Sequence, residues 1–123
     1  MIRVTIATDS DGLLRELRAT GHANWARPGR DIVCAATTCL IRTTAAALAE
    51  RQGVECRGGI ADAELSLLVD RIPTELSAWV QGVTDVLTRG LCDLEREYPK
   101  SLRLTRRRYK SRERSQDALL VGG

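Results

Sequence analysis

The chain has no phenylalanine and only four other aromatic residues in 123 (Trp25, Trp79, Tyr98 and Tyr109), so its core must be built from Leu, Val, Ile and Ala. It has one histidine, His22, and any imidazole chemistry must use it. Its four cysteines, Cys34, Cys39, Cys56 and Cys92, contain no Cys-x-x-Cys pair, the spacing that makes a zinc site credible. No secretory leader is evident, and no stretch is expected to approach the roughly 18 apolar residues of a membrane span. These absences predict a cytoplasmic protein without a membrane segment, whose cysteines are thiols rather than disulfides.

Charge is present but uneven. The net charge is +3, yet seven of the 19 basic residues fall within positions 103–114, which hold only one acid, Glu113. The remaining body is mildly acidic. A length of 123 residues suits one domain. We divide the chain into a domain over 1–105 and a basic, flexible tail over 106–123.

Hydrophobic periodicity sets out the elements. Ile2, Val4 and Ile6 alternate with Arg3 and Thr5 as in a strand. Asp9-Ser10-Asp11-Gly12 forms a turn. Leu13, Leu17 and Ala19 then alternate against Leu14, Glu16 and Arg18, completing a hairpin over 2–20. Gly21 to Arg30 has no period and is punctuated by Gly21, Pro28 and Gly29, as in a loop. Asp31 is a good N-cap for an Ala-rich helix bearing Ile32, Val33, Ala36, Leu40, Thr44, Ala47 and Leu48, which ends at Gly53. Val54 to Gly59 suggests a strand, with Gly58-Gly59 and Asp62 turning into a second strand on Leu65, Leu67 and Val69. Pro73-Thr74 opens a helix with the stripe Leu76, Trp79, Val80, Val83, Leu87, Leu91, Leu94 and Tyr98, stopped by Pro99. Ser101 to Thr105 gives a last strand. The order ββαββαβ predicts an α+β fold: a two-layer sandwich in which two helices cover a mostly antiparallel sheet.

Chemistry concentrates between Gly21 and Ala36. Cys34 falls in the first turn of the predicted helix, where partial positive charge favours the thiolate, which is the nucleophile. The unpaired N–H groups of that turn could also hold an oxyanion. His22 lies twelve positions earlier, on a loop able to fold back, and could act as base to the thiol and then as acid to the leaving amine. Gly21 and Gly29 would let this loop bend. Bland readings stand beside these: a cysteine in an apolar helix is usually a small buried residue, a loop histidine is usually a surface residue, and Asp31 is most simply a cap. Cys39 lies roughly 140° around the helix from Cys34 and faces elsewhere.

Gly21-His22-Ala23, followed by Gly29-x-Asp31-Ile32-Val33-Cys34-Ala35-Ala36, resembles the signature of the ribosomal-processing cysteine protease (Prp) family. The likeness extends over about residues 1–105. The resemblance implies a small α+β homodimer with a Cys34–His22 dyad and no metal or organic cofactor. It also implies a hydrolase activity, an endopeptidase that removes the amino-terminal extension of large-subunit ribosomal protein twenty-seven. The family usually has Ser four residues after the cysteine. Here Thr38 holds that position, one helical turn on and facing the same way, with a hydroxyl that could still donate. Asp31 would support the site by capping the helix. Trp25 and Arg27-Pro28 make the loop bulkier than expected.

The tail has two readings, a solvated extension or a weak electrostatic contact to ribosomal RNA. The second supports the alternative function, a non-catalytic ribosome- or RNA-associated binding module.

Overall fold

A computed structural model describes residues 1–21, 32–61 and 64–110. The elements are β1 (Ile2–Thr8), β2 (Leu14–Thr20), α1 (Ile32–Glu50), β3 (Glu55–Ala61), β4 (Glu64–Arg71), a short 3-10 turn at Thr74–Leu76, α2 (Ser77–Glu97) and β5 (Leu102–Arg108). The strands form one five-stranded sheet in the order β3-β4-β2-β1-β5. Three of the four pairings are antiparallel, and β5 pairs with β1 in parallel. This is the α+β fold predicted by the order of elements.

Side chains alternate across a strand, so the buried set marks which face the helices cover. Ile2, Val4, Ile6, Leu17, Ala19, Leu67, Val69 and Leu102 turn inward and meet Val33, Ile41 and Leu48 of α1 and Val80, Leu87 and Leu91 of α2 in one aliphatic core. The opposite face carries cross-strand ion pairs, Arg18–Glu64 at 2.7 Å and Arg107–Glu16 at 3.1 Å. Such exposed pairs each contribute little to stability.

Five sequence expectations are corrected here. Leu14 is not on the polar face of β2, because the β1–β2 register slips: Ala7 pairs with Glu16 but Thr8 pairs with Leu14. The extra residue, Arg15, turns Leu14 inward to full burial. There the Leu14 N–H donates to Thr84 Oγ1 at 3.0 Å, and that hydroxyl donates to the Val80 carbonyl.

Gly58 and Gly59 are not a turn. They pair with Leu67 and Ser66 inside β3, which continues to Ala61. The buried face of α1 is Val33, Thr37, Ile41, Thr44 and Leu48, whereas Ile32 is exposed. The helix is rich in Ala and Thr on every side, so composition marks its inward face poorly. For the same reason α1 is long and apolar enough to cross a membrane by length and composition, contrary to the sequence expectation. Its inward face packs into the core described above. β5 also runs to Arg108, beyond its apolar residues, since its backbone ladder with β1 continues through Thr8–Arg108.

Asp9 organises the β1–β2 turn. Its carboxylate accepts from the N–H groups of Asp11 (2.9 Å) and Leu13 (3.0 Å) and from Arg15 Nε (2.8 Å). Burial alone would raise its pKa, but the hydrogen bonds and charge of Arg15 and the two backbone donors outweigh it and hold the carboxyl below its ordinary value. A carboxyl with a lowered folded pKa stabilises the fold above its unfolded pKa, and that contribution is lost as pH falls through the folded value. Thermal melts should therefore show Asp9→Asn less stable than the parent by about 1–2 kcal/mol at pH 6. The gap should close below about pH 4.

Candidate active site

Cys34 is the third residue of α1 and is half-buried, packed against the edge of the core. The first turn of a helix leaves backbone N–H groups without intrahelical partners, and helical side chains lean back toward that end. Thr38, one turn further on, is also half-buried and lines a pocket of about 170 Å³ with Ile2, Ala19, Thr37, Ile41 and Leu65.

That pocket shares Arg42, Ile60 and Leu65 with a larger one of about 400 Å³ that continues along α1 past Ala45, Ala46 and Ala49. The far wall is the β3–β4 hairpin, including Gly58, Gly59 and Ser66. A single groove thus starts one helical turn beyond Cys34 and runs between α1 and β3. Small side chains on both walls leave room for an extended peptide. β3 is the outer strand of the sheet, so its free edge is open to another backbone.

Sequence reasoning did not single out Thr37. It is 2% exposed and its hydroxyl has no hydrogen-bond partner among the described residues, although it lines the small pocket. A buried hydroxyl left unpaired costs about 1–3 kcal/mol, in contrast to the satisfied Thr84. Thr37→Val keeps the shape and removes the unpaired group, so chemical denaturation should show a gain of about 1 kcal/mol. The residue could have been found from its four-residue spacing between Val33 and Ile41, which places a hydroxyl on an otherwise apolar stripe.

Gly21, at the exit of β2, has φ +82°. A side chain there would be strained and would also strike the Met1 carbonyl. The glycine that opens the His22 segment is therefore required by the fold as well as by any bending. His22, Gly29 and Asp31, with the loop between Gly21 and the helix, lie outside the described residues.

No disulfide joins the cysteines. Cys39 is exposed, on a different side of α1 from Cys34, and Cys92 is on α2. Cys56 lines the large pocket, but burial pushes its thiol pKa up and the Asp70 charge adds to the rise. It is therefore a poor source of thiolate. Among the described residues no three His, Cys, Asp or Glu side chains come together as a metal site would.

Residues 1–103 match the family model described as cysteine protease Prp. The chain belongs to the Prp cysteine protease family. Among curated relatives, the ribosomal processing cysteine protease Prp of Bacillus subtilis (strain 168) is 28% identical over 109 residues, covering 85% of this chain and 96% of the relative. The fold matches a Prp protease of S. aureus solved with a covalently linked product peptide. The TM-score is 0.71 at 21% identity, with 86% of this chain and 99% of that one covered. It also matches a Streptococcus mutans protein at TM-score 0.72 and 24% identity, over 89% of this chain and 96% of that one. Family membership makes this chain a cysteine protease and decides against a purely non-catalytic binding module.

Proposed function

We propose that this Prp protease is an endopeptidase with a Cys34–His22 dyad, which removes the amino-terminal extension of large-subunit ribosomal protein twenty-seven. The observation that carries the reading is the position of Cys34, in the first turn of α1 and one turn from the mouth of the groove. In the proposed reaction His22 takes the Cys34 proton and the sulfur attacks the carbonyl carbon of the scissile bond. First-turn N–H groups hold the oxyanion. His22 returns the proton to the departing amine as the C–N bond breaks, leaving a thioester. Water, deprotonated by His22, then cleaves the thioester and restores the thiol. Asp31 supports the site as cap of α1, and Gly29 with Gly21 allows the His22 segment to fold over the substrate. Thr38 offers a hydroxyl beside Cys34.

The small pocket next to Thr38 suits one large apolar side chain, and we assign it to the residue preceding the cut, for which the family resemblance suggests an aromatic. We place the enzyme in the cytoplasm as a homodimer, and the basic tail as a weak contact to ribosomal RNA. The S. aureus relative has also been solved with a substrate peptide, which supports a peptide in the corresponding position here.

The test is direct. Purified enzyme is incubated with the unprocessed ribosomal protein of the same organism, and the new amino terminus is found by mass spectrometry. A single cut within the extension is expected. An intact substrate after prolonged incubation would overturn the assignment of substrate.

A further inference from the structure

A second large depression lies away from the groove, at the opposite ends of the strands. It has a volume of about 900 Å³ and is walled by α2 on one side and by the end of β5 on the other. Its lining reaches Thr8, the last residue of β1. Ile2, which lines the small pocket near Cys34, begins the same strand. Ile6 also lines the depression, so four residues of strand separate the two linings at their nearest, about 13 Å.

Arginines dominate the lining of this depression. Leu102 and Leu104 of β5 face the core, and the same alternation carries Arg106 and Arg108 onto the helix side once the core has ended. Both are exposed, and neither forms an ion pair with a described residue. Arg89 and Arg96 line the opposite wall. They stand seven residues apart on α2, about 10 Å along one helix face. Each is near Asp93, at 3.3 and 3.8 Å, but both side chains are about three-quarters exposed, so these pairs are weak and exchangeable. Of the acids in the lining, Asp9 is already committed to Arg15, which leaves Asp85. Arg107 also touches the depression but pairs with Glu16 across the sheet's other face.

We propose that this arginine-walled depression is a docking site for the phosphate backbone of RNA. Four arginines on two rigid elements present guanidinium groups, which suit phosphate oxygens. Among the described residues the lining contains no aromatic on which a base could stack. Recognition should therefore be of the backbone alone, independent of sequence and strongly dependent on salt. An acidic peptide would find charge there but no apolar anchor. The site is built from β5 and α2 and does not need residues beyond 110. It shares no lining residue with the groove along α1, so an RNA-bound molecule would keep its peptide groove open.

The experiment measures binding of the full chain to a fluorescein-labelled RNA hairpin by anisotropy, from 50 to 200 mM salt. Binding should weaken with a log–log slope of about −3, for three to four neutralised phosphates. Arg106→Gln with Arg108→Gln should weaken binding at least tenfold at 50 mM salt and reduce the slope by about two. Arg89→Gln, on the other wall, should reduce it by about one. Two controls remove the same charge elsewhere: Arg103→Gln, on the opposite face of β5, and Arg112→Gln with Arg114→Gln in the tail. The first should bind as the parent does, and the second should lose only the small share of a weak tail contact, well short of the loss in the Arg106/Arg108 pair. Peptide cleavage should be unchanged in every variant, so failure here is distinct from failure of the protease reading. The proposal is overturned if either control loses as much affinity as the Arg106/Arg108 pair. It is equally overturned if an acidic peptide of matched charge binds as tightly as the hairpin.

Discussion

Cys34→Ala will leave a folded protein that cleaves its substrate more than about a thousandfold more slowly than the parent. The size of the loss follows from the chemistry. In the proposed mechanism the sulfur forms the thioester, so its removal leaves only water activated by His22 and the oxyanion site. The fold should survive because Cys34 is only half-buried, at the edge of the core, and alanine is the best helix former. A stability loss of about 1 kcal/mol or less is expected. His22→Ala should give a loss of similar order, and combining the two changes should add almost nothing, because the two groups act as a unit. That non-additivity separates a dyad from two independently useful residues. Cys39→Ala is the control: it removes an exposed thiol from another side of the same helix and should cleave normally. The rates are read by following release of the extension peptide by chromatography. Undiminished cleavage by Cys34→Ala would remove the nucleophile from the mechanism.

The fold was legible wherever one face of an element is apolar and the other is not. β1 and α2 show this best, since Ile2, Val4 and Ile6 of β1 and Val80, Leu87 and Leu91 of α2 all reach the core. It was less legible where local pattern and tertiary contact disagree. At the Arg15 bulge the Leu14 N–H donates to Thr84, seventy residues away, a contact that no local pattern can reveal. Gly58 and Gly59 have the composition of a turn, yet β4 holds them in its ladder. Burial of Thr37 depends on what lies beneath α1, and hydropathy ranks it below the neighbouring alanines. The placement of Cys34 near a helix amino terminus was readable because Pro28, Gly29 and Asp31 mark where a helix can begin. The groove was not readable, since it requires α1 and β3 to be brought together from residues far apart in the chain.

Gly58→Ala should destabilise the protein sharply, whereas Gly59→Ala, at the adjacent residue of the same strand, should not. Both glycines line the groove, so composition and location predict the same result for each. Their surroundings differ. A Cβ on Gly58 would fall onto the Ser66 carbonyl and lie 2.9 Å from the Leu67 Cα, both part of the backbone of β4. Backbone atoms in the middle of a ladder cannot rotate away as the tip of a side chain can. β3 must therefore lift from β4, and the Gly58–Leu67 register must loosen. Overpacking of this kind costs about 1–3 kcal/mol or more, a large part of the roughly 5–15 kcal/mol that holds a domain together. A Cβ on Gly59 meets nothing within 4 Å. That change should be neutral, or should stabilise by up to about 1 kcal/mol by restricting the unfolded chain. Urea titrations of the two variants beside the parent provide the check. Function should follow the same division. Lifting β3 widens the groove, so Gly58→Ala should raise KM for the peptide even under conditions where it stays folded. Gly59→Ala should melt no lower than the parent, and any rise in its KM would report contact between the new methyl group and the substrate. Equal stability for the two variants would mean that β3 does not approach β4 as closely as the geometry requires.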